Sequence, residues 1–142
     1  MADLAREGSK QPAVRTLALA LTSANLQKDY RGEACSIIEY VRDKIRYVRD
    51  IKTVEALQSP ELTILLGAGD CDDKSTLTAA LLASLGHTCR FIAVSFVPNQ
   101  YAHVWTQVKL KNAWLDLEGT EPLQCGERIP HEGALAYIYQ DA

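Results

Sequence analysis

The chain has 142 residues, of which 47% are hydrophobic and 23% charged, with a formal net charge of −3. This length suits a single domain with its own core, and the composition excludes disordered, collagen-like and low-complexity chains. No apolar run reaches the ~18–20 residues of a transmembrane helix, and the N-terminus lacks the apolar segment of a signal peptide. We therefore expect one domain over residues 1–142, in the cytoplasm, with no membrane partner.

Charge and cysteine spacing exclude further classes of protein. Residues 1–52 carry 10 basic and 7 acidic side chains, whereas residues 53–142 carry 5 and 11. A chain with this net negative charge is not expected to bind nucleic acid. The four cysteines form no CxxC pair, and a cytoplasmic chain keeps its thiols reduced. Three of them are expected to be packed, inert thiols: Cys35, Cys89 and Cys125.

Helices are predicted in the first half of the chain. Residues 1–11 are polar and expected to be frayed. Apolar residues recur at helical spacing after Pro12 and again over residues 32–49, which predicts two amphipathic helices. Residues 50–70 lack a sustained period, so we interpret them as a long loop with one short turn near Val54–Gln58.

A buried helix and a sheet are predicted in the second half. The sequence DDKSTLTAALLASL, residues 72–85, is apolar on nearly every side and ends at Gly86, which favours a buried central helix. Lys111 and Asn112 form a plausible hairpin tip. The predicted strands are 90–97, 103–110, 113–117 and 134–139. Helices followed by a mostly antiparallel sheet predict an α+β domain.

The sequence GAGDCDDKS, residues 67–75, places Cys71 where a Gly-rich loop turns into this helix. Unpaired backbone N–H groups and the helix dipole stabilise an anion there, and the thiolate is the nucleophilic form of cysteine. Asp70, Asp72 and Asp73 oppose ionisation, so a thiolate would need a cation nearby. These acids are also a candidate Ca²⁺ site, but their spacing is not that of an EF-hand loop. We expect no metal and no cofactor.

His103 is the candidate partner of Cys71. It begins a predicted strand 32 residues after the cysteine, and Asp116 follows on the next strand after 13 more residues. The predicted hairpin pairs residue 116 with residue 107, about 10–13 Å from His103 along the strand. A different register would be needed to bring Asp116 to the imidazole. Of the other two histidines, His87 is interpreted as a loop residue after the predicted helix and His131 as a surface residue.

The segments GDCDDKSTLTAALLASLGHTCRFIAVSF, YAHVWTQV and WLDLEGT resemble the core of the transglutaminase-like superfamily, a branch of the papain-like cysteine enzymes. The GDCDD form resembles the bacterial cysteine peptidases of that superfamily, and small bacterial or phage-encoded members are the expected relatives. The resemblance covers residues 60–120. It implies a papain-like core in which Cys71 is the nucleophile, His103 the general acid and base, and Asp116 the residue that orients the imidazole.

A Cys–His pair of this kind supports acyl transfer through a thioester. The tetrahedral oxyanion needs hydrogen-bond donors, and the backbone N–H of Cys71 is the natural one. The second donor is expected from the 50–70 loop, where Gln58 is our candidate. We therefore expect a cysteine peptidase or amidase that hydrolyses peptide or isopeptide bonds in a protein or peptide substrate.

Three alternatives stay open at this point. With an amine as acceptor, the same site would make a protein cross-linking transglutaminase, and the sequence does not decide which acceptor enters. A non-catalytic binding or assembly module could use the same scaffold. A zinc protein would need four ligands: Cys71, His87, Cys89 and Cys125. The sequence does not predict an oligomeric state.

Overall fold

The computed structural model describes residues 1–49, 57–128, 130–134 and 136–142. Within these residues there are five helices and six strands. The helices are α1 (Ala2–Gly8), α2 (Pro12–Thr22), α3 (Tyr30–Lys44), α4 (Pro60–Leu66) and α5 (Cys71–Ser84). The strands are β1 (Arg46–Tyr47), β2 (Ala68–Gly69), β3 (Cys89–Val97), β4 (Gln100–Leu110), β5 (Ala113–Leu117) and β6 (Ala136–Asp141).

The predicted α+β class is confirmed. Four strands form an antiparallel sheet in the order β5-β4-β3-β6, and β1 and β2 form a separate parallel pair. Helix α5, predicted at 72–85, is the centre of the core: it packs against the four other helices and against β3 and β4. Its buried apolar side chains are Leu77, Ala79, Ala80, Leu81 and Leu82. None of the helices in the described ranges has both the length and the apolar character needed to cross a bilayer.

The predicted strands are all present, and the hairpin register is the predicted one. Leu110 lies opposite Ala113 across the turn, and Gln107 lies opposite Asp116. Lys111 adopts a positive φ of 24° in this turn. The register matters because it fixes which acidic residue after the turn comes nearest to the start of β4.

Helix α1 forms in a segment that we expected to be frayed. It packs against α5 and α4, and it buries Ala2, Ala5 and Gly8. A Cβ atom on Gly8 would lie 2.5 Å from Cγ of Pro60. The prediction was wrong because a few small residues suffice for this close approach, and they leave little apolar periodicity in the sequence.

Helix α4 forms inside the predicted 50–70 loop. Ser59 caps it by accepting a hydrogen bond from the Leu62 N–H at 3.3 Å, and Gly67 ends it at a left-handed φ of 61°. Its seven residues are too few to show a sustained helical period. The predicted turn at Val54–Gln58 lies largely outside the described residues.

Helix α3 ends at Lys44, before the limit of 49 that its apolar pattern predicted. Ile45 is already extended, and the following residues leave the helix to pair with β2. In this pairing Arg46 lies opposite Ala68, and Tyr47 lies opposite Gly69. A strand of two residues carries no pattern of its own, so only the tertiary structure reveals it.

Cys35 and Cys125 form a disulfide, which corrects the expectation of four reduced cysteines. The bridge joins α3 to the segment after β5 across a sequence separation of 90 residues, while Cys71 and Cys89 are free. Sequence spacing could not show this pairing because it depends on where the later segment lies against α3. Disulfides persist mainly in oxidising compartments, so the cytoplasmic location stays a prediction.

Candidate active site

Cys71 is the first residue of α5, and a reciprocal cap fixes the helix start. Asp70 accepts a hydrogen bond from the Asp73 N–H at 3.0 Å, and Asp73 accepts one from the Asp70 N–H at 3.1 Å. A Cβ atom on Gly69 would lie 2.6 Å from Cβ of Asp73, so glycine is required for this close approach. Two of the three acids around Cys71 therefore cap the helix that presents the thiol.

Hydrogen bonds hold the first turns of α5 against β4 and against the segment before β1. The Ser75 hydroxyl donates to the Val104 carbonyl at 3.2 Å, and the Thr106 hydroxyl donates to the Ser75 carbonyl at 3.0 Å. Both fix α5 to β4, next to the histidine. The buried Lys74 ammonium donates to the Ile45 carbonyl at 2.8 Å and ties α5 to the residue that precedes β1. Burial lowers the pKa of Lys74, although the Glu118 charge opposes that change.

The structure brings Cys71, His103 and Glu118 together. Cys71 and His103 are neighbours, because both line the two cavities described below and the sulfur acts on the imidazole. On its other side the imidazole Nε2 donates to Oε2 of Glu118 at 2.6 Å. Glu118 follows β5 directly, only 3% of its side chain is exposed, and its second oxygen accepts a hydrogen bond from the Thr120 N–H at 2.9 Å. The imidazole is thus held between a thiol and an oriented carboxylate.

The surroundings of His103 favour the protonated imidazole. Burial disfavours the imidazolium, but the hydrogen bonds and negative charges of Cys71 and Glu118 outweigh it and raise the pKa of His103 from 6.5 to about 10. Burial raises the pKa of the Cys89 thiol to about 12. An imidazolium beside Cys71 supplies the cation that the sequence analysis required for a thiolate.

Asp116 does not meet the imidazole, and this corrects the predicted contact. It lies opposite Gln107 in the ladder and accepts two hydrogen bonds on Oδ1, from Nε1 of Trp105 at 2.8 Å and from Nε2 of Gln107 at 2.7 Å. The predicted register was right, so the carboxylate two residues later along the chain reaches His103 instead. Asp116 fixes the indole of Trp105, which is fully buried.

Trp105 supports the imidazole from the side. Its ring stacks on His103 with centroids 5.8 Å apart and on His131 with centroids 5.4 Å apart. The interplanar angle between Trp105 and His131 is 8°. Burial and the neighbouring His103 charge lower the pKa of His131. His131, predicted as a surface residue, therefore forms part of the wall of the site.

Gln58, the predicted oxyanion donor, has other partners. Its side-chain oxygen accepts a hydrogen bond from the Thr63 hydroxyl at 3.1 Å, and its backbone N–H donates to Asp73 at 2.8 Å. It lines neither of the cavities beside Cys71. Tyr47 lines the first of them together with Cys71, because the pairing of β1 with β2 places it opposite Gly69.

Two cavities meet at Cys71 and His103. The first, named here the Glu121 cavity, has a volume of about 560 Å³ and is lined by Tyr47, Cys71, Phe96, Ala102, His103, Glu118, Thr120, Glu121 and His131. The second, the Asp72 cavity, has a volume of about 920 Å³. Its lining includes Cys71 and His103 again, with Asp72, Gln100, Tyr101 and Tyr139 among the other residues. The thiol is therefore reachable from two directions.

A metal site is not visible in the described part of the chain. No group of three or more His, Cys, Asp or Glu side chains there is arranged to hold a metal ion. The zinc alternative also loses a ligand, because Cys125 is bonded to Cys35.

The chain belongs to the Transglutaminase-like superfamily, whose sequence profile matches residues 15–119. Its fold is similar to that of a proposed cysteine protease from Cytophaga hutchinsonii, with a TM-score of 0.63, 17% identity and coverage of 89% of this chain and 42% of that one. It is also similar to a proposed protease from Parabacteroides distasonis, with a TM-score of 0.67, 11% identity and coverage of 84% and 26%. The chain spans less than half the length of either structure. A comparison with curated protein sequences finds no significant match.

Two residues of the site escaped the sequence analysis for different reasons. Glu118 could have been found, because the predicted hairpin register, extended by two residues, pairs position 118 with Trp105 and so places it two residues closer to His103 than Asp116. Tyr47 had no such signal. Its position depends on the parallel pairing of two short strands, β1 and β2, each of two residues. Strands this short have no periodic pattern in the sequence that would predict them.

Proposed function

We propose that this chain is a thiol-dependent acyl-transfer enzyme that hydrolyses peptide or isopeptide bonds, with Cys71 as nucleophile, His103 as general acid and base, and Glu118 as the residue that orients the imidazole. The observation that carries the proposal is an imidazole that lies beside the Cys71 thiol and is hydrogen-bonded to the buried carboxylate of Glu118 at 2.6 Å. Membership of the superfamily and the similarity in fold to two proposed proteases support it.

The reaction follows from these groups. The Cys71 thiolate attacks the acyl carbon, and an Sγ–C bond forms. The imidazolium of His103 gives its proton to the departing nitrogen, so the C–N bond breaks and an amine leaves. A water molecule then attacks the thioester while the neutral imidazole takes its proton. The carboxylic acid leaves, and the thiolate and imidazolium are restored.

The oxyanion of each tetrahedral intermediate needs donors close to Cys71. The first-turn N–H groups of α5 have no partner within the helix, and that of Cys71 is the nearest to the thiol. The phenol of Tyr47 is our second donor in place of Gln58. It lines the same cavity as Cys71, and burial followed by the charges of Cys71 and Asp70 raises the pKa of Tyr47, which keeps its O–H proton in place.

Active-site titration tests the proposal. Iodoacetamide at pH 6 should alkylate Cys71 rapidly and leave Cys89 unmodified, since Cys89 is only 4% exposed and its pKa is about 12. p-Nitrophenyl acetate should give a burst of one p-nitrophenol per chain and an acetylated Cys71 in the mass spectrum. The Cys71→Ala variant should give neither result.

The same experiment separates the alternatives. If Cys71 and Cys89 react equally slowly and no burst is seen, the chain is a binding or assembly module and the proposal is wrong. If the acyl group of the thioester passes to an added primary amine in preference to water, the enzyme is a cross-linking transglutaminase.

A further inference from the structure

We infer, on the basis of the proposed function, that the substrate is an internal segment of a polypeptide bound across both cavities, and that Glu121 selects a lysine or arginine side chain beside the bond that is cleaved. The inference rests on the cleft that the two cavities form where they meet at Cys71 and His103, and on the charged and aromatic side chains that line it.

The two-sided cleft indicates an internal segment. Both cavities include Cys71, Ala102 and His103 in their linings, so they meet at the reacting atoms. Chain on one side of the cleaved bond can occupy the Glu121 cavity, and chain on the other side can occupy the Asp72 cavity. An enzyme that removes C-terminal residues needs a cation to bind the free carboxylate, and neither lining, over the described residues, contains a lysine or arginine for it.

The walls of the Glu121 cavity favour a cation. Glu121 is half-buried, and its carboxylate charge acts on both Tyr47 and His131. Tyr47 and Phe96 add aromatic rings, whose faces attract ammonium and guanidinium groups. Glu118 also lines this cavity, but its carboxylate is engaged with His103.

Positive charges nearby do not cancel this preference. Arg49 acts on Tyr47, and Arg128 acts on His131 and lies over the ring of Trp105. Neither arginine lines the Glu121 cavity, and the His103 imidazolium that does line it is paired with Glu118. The charge balance of the chain points the same way, because residues 53–142 carry 11 acidic and 5 basic side chains.

Internally quenched decapeptides with blocked termini test the inference. The peptides of each set differ only at one position near the cleaved bond, which holds lysine, norleucine or glutamate. Comparing lysine with norleucine separates the effect of the charge from that of the length of the apolar side chain. We expect cleavage despite the blocked termini, and kcat/KM about 2- to 5-fold higher for lysine than for norleucine at one position, as one partly exposed charge pair provides. Glutamate at that position should be the poorest substrate.

Variants test whether Glu121 is the residue that determines the preference for a positively charged substrate side chain. Glu121→Gln should remove the preference for lysine over norleucine at that position, and Glu121→Lys should reverse it in favour of glutamate. Glu39→Gln is the matched control, since it removes one carboxylate from the exposed face of α3 and should leave the preference unchanged. An unchanged midpoint of thermal unfolding verifies that each variant is folded.

The p-nitrophenyl acetate burst keeps this test distinct from that of the proposed function. A burst with no cleavage of any blocked peptide, or with the same lysine preference in Glu121→Gln as in the unaltered chain, overturns the inference alone. Absence of the burst overturns the proposed function, and the inference with it.

Discussion

Glu118 accepts a hydrogen bond from the imidazole of His103 at 2.6 Å, while the carboxylate of Asp116 accepts its hydrogen bonds from Trp105 and Gln107. The two acids are two residues apart and face the same ladder of side chains, yet only one of them orients the imidazole. This separation lets paired substitutions distinguish orientation of the imidazole from support of the fold.

The first prediction compares the two amides. Glu118→Gln should lower kcat/KM by about 10²–10⁴-fold, because a neutral partner no longer stabilises the imidazolium. Asp116→Asn is the matched control. Its amide oxygen can still accept from both donors, so kcat/KM should stay within about threefold of the unaltered value. Equal losses in steady-state hydrolysis by both variants would contradict the assignment.

The second prediction concerns stability at Asp116. Asp116→Ala leaves the buried indole N–H of Trp105 without its acceptor, which should reduce the free energy of unfolding by about 1–3 kcal/mol. Urea denaturation followed by tryptophan fluorescence measures the change. An unchanged free energy of unfolding would show that the hydrogen bonds to Asp116 do not stabilise the fold.

The third prediction is the titration of His103. Its pKa is raised from 6.5 to about 10, so NMR of ¹⁵N-labelled histidine should show the imidazolium throughout pH 7–9. A group whose pKa is higher in the folded state stabilises the fold fully below its unfolded pKa and loses that effect as the pH rises through the folded value. The contribution of His103 should therefore decline between pH 6.5 and about 10. A neutral ring at pH 8 would refute the ion pair.

Most of the fold could be predicted from the sequence, because the main helices and strands are long enough to show a clear pattern of apolar residues. The apolar run of α5 and the hairpin at Lys111 and Asn112 predicted the central helix and the register that brings His103 and Glu118 together. The N-terminal α1, the seven-residue α4 and the two-residue pairing at Tyr47 were not predicted, since each depends on a contact with a distant segment. The same is true of the disulfide between Cys35 and Cys125.

The fourth prediction tests Tyr47 as an oxyanion donor. Tyr47→Phe should lower kcat by about 10²-fold with little change in KM, as expected for a donor that acts mainly in the transition state. Alkylation of Cys71 by iodoacetamide forms no oxyanion, so its rate should not change. Tyr30→Phe, on α3 against His87, is the control and should leave both measurements unaltered. A slower alkylation in Tyr47→Phe would instead show that the phenol acts on the thiol.

The fifth prediction concerns the disulfide. The double substitution Cys35→Ser and Cys125→Ser opens a loop of 90 residues and should reduce the free energy of unfolding by about 2–5 kcal/mol. Denaturation with and without dithiothreitol measures this. The reductant should destabilise the unaltered chain and have no effect on the double variant. The same midpoint for the unaltered chain in both conditions would contradict the prediction.

The ammonium of Lys74 binds the carbonyl of Ile45, so one interior side chain spans from the helix that begins with Cys71 to the segment that leads into Tyr47. The spacing between the nucleophile and our second oxyanion donor therefore depends on an atom that no substrate touches. In a saturation mutagenesis screen for activity, position 74 should consequently rank with the reacting residues.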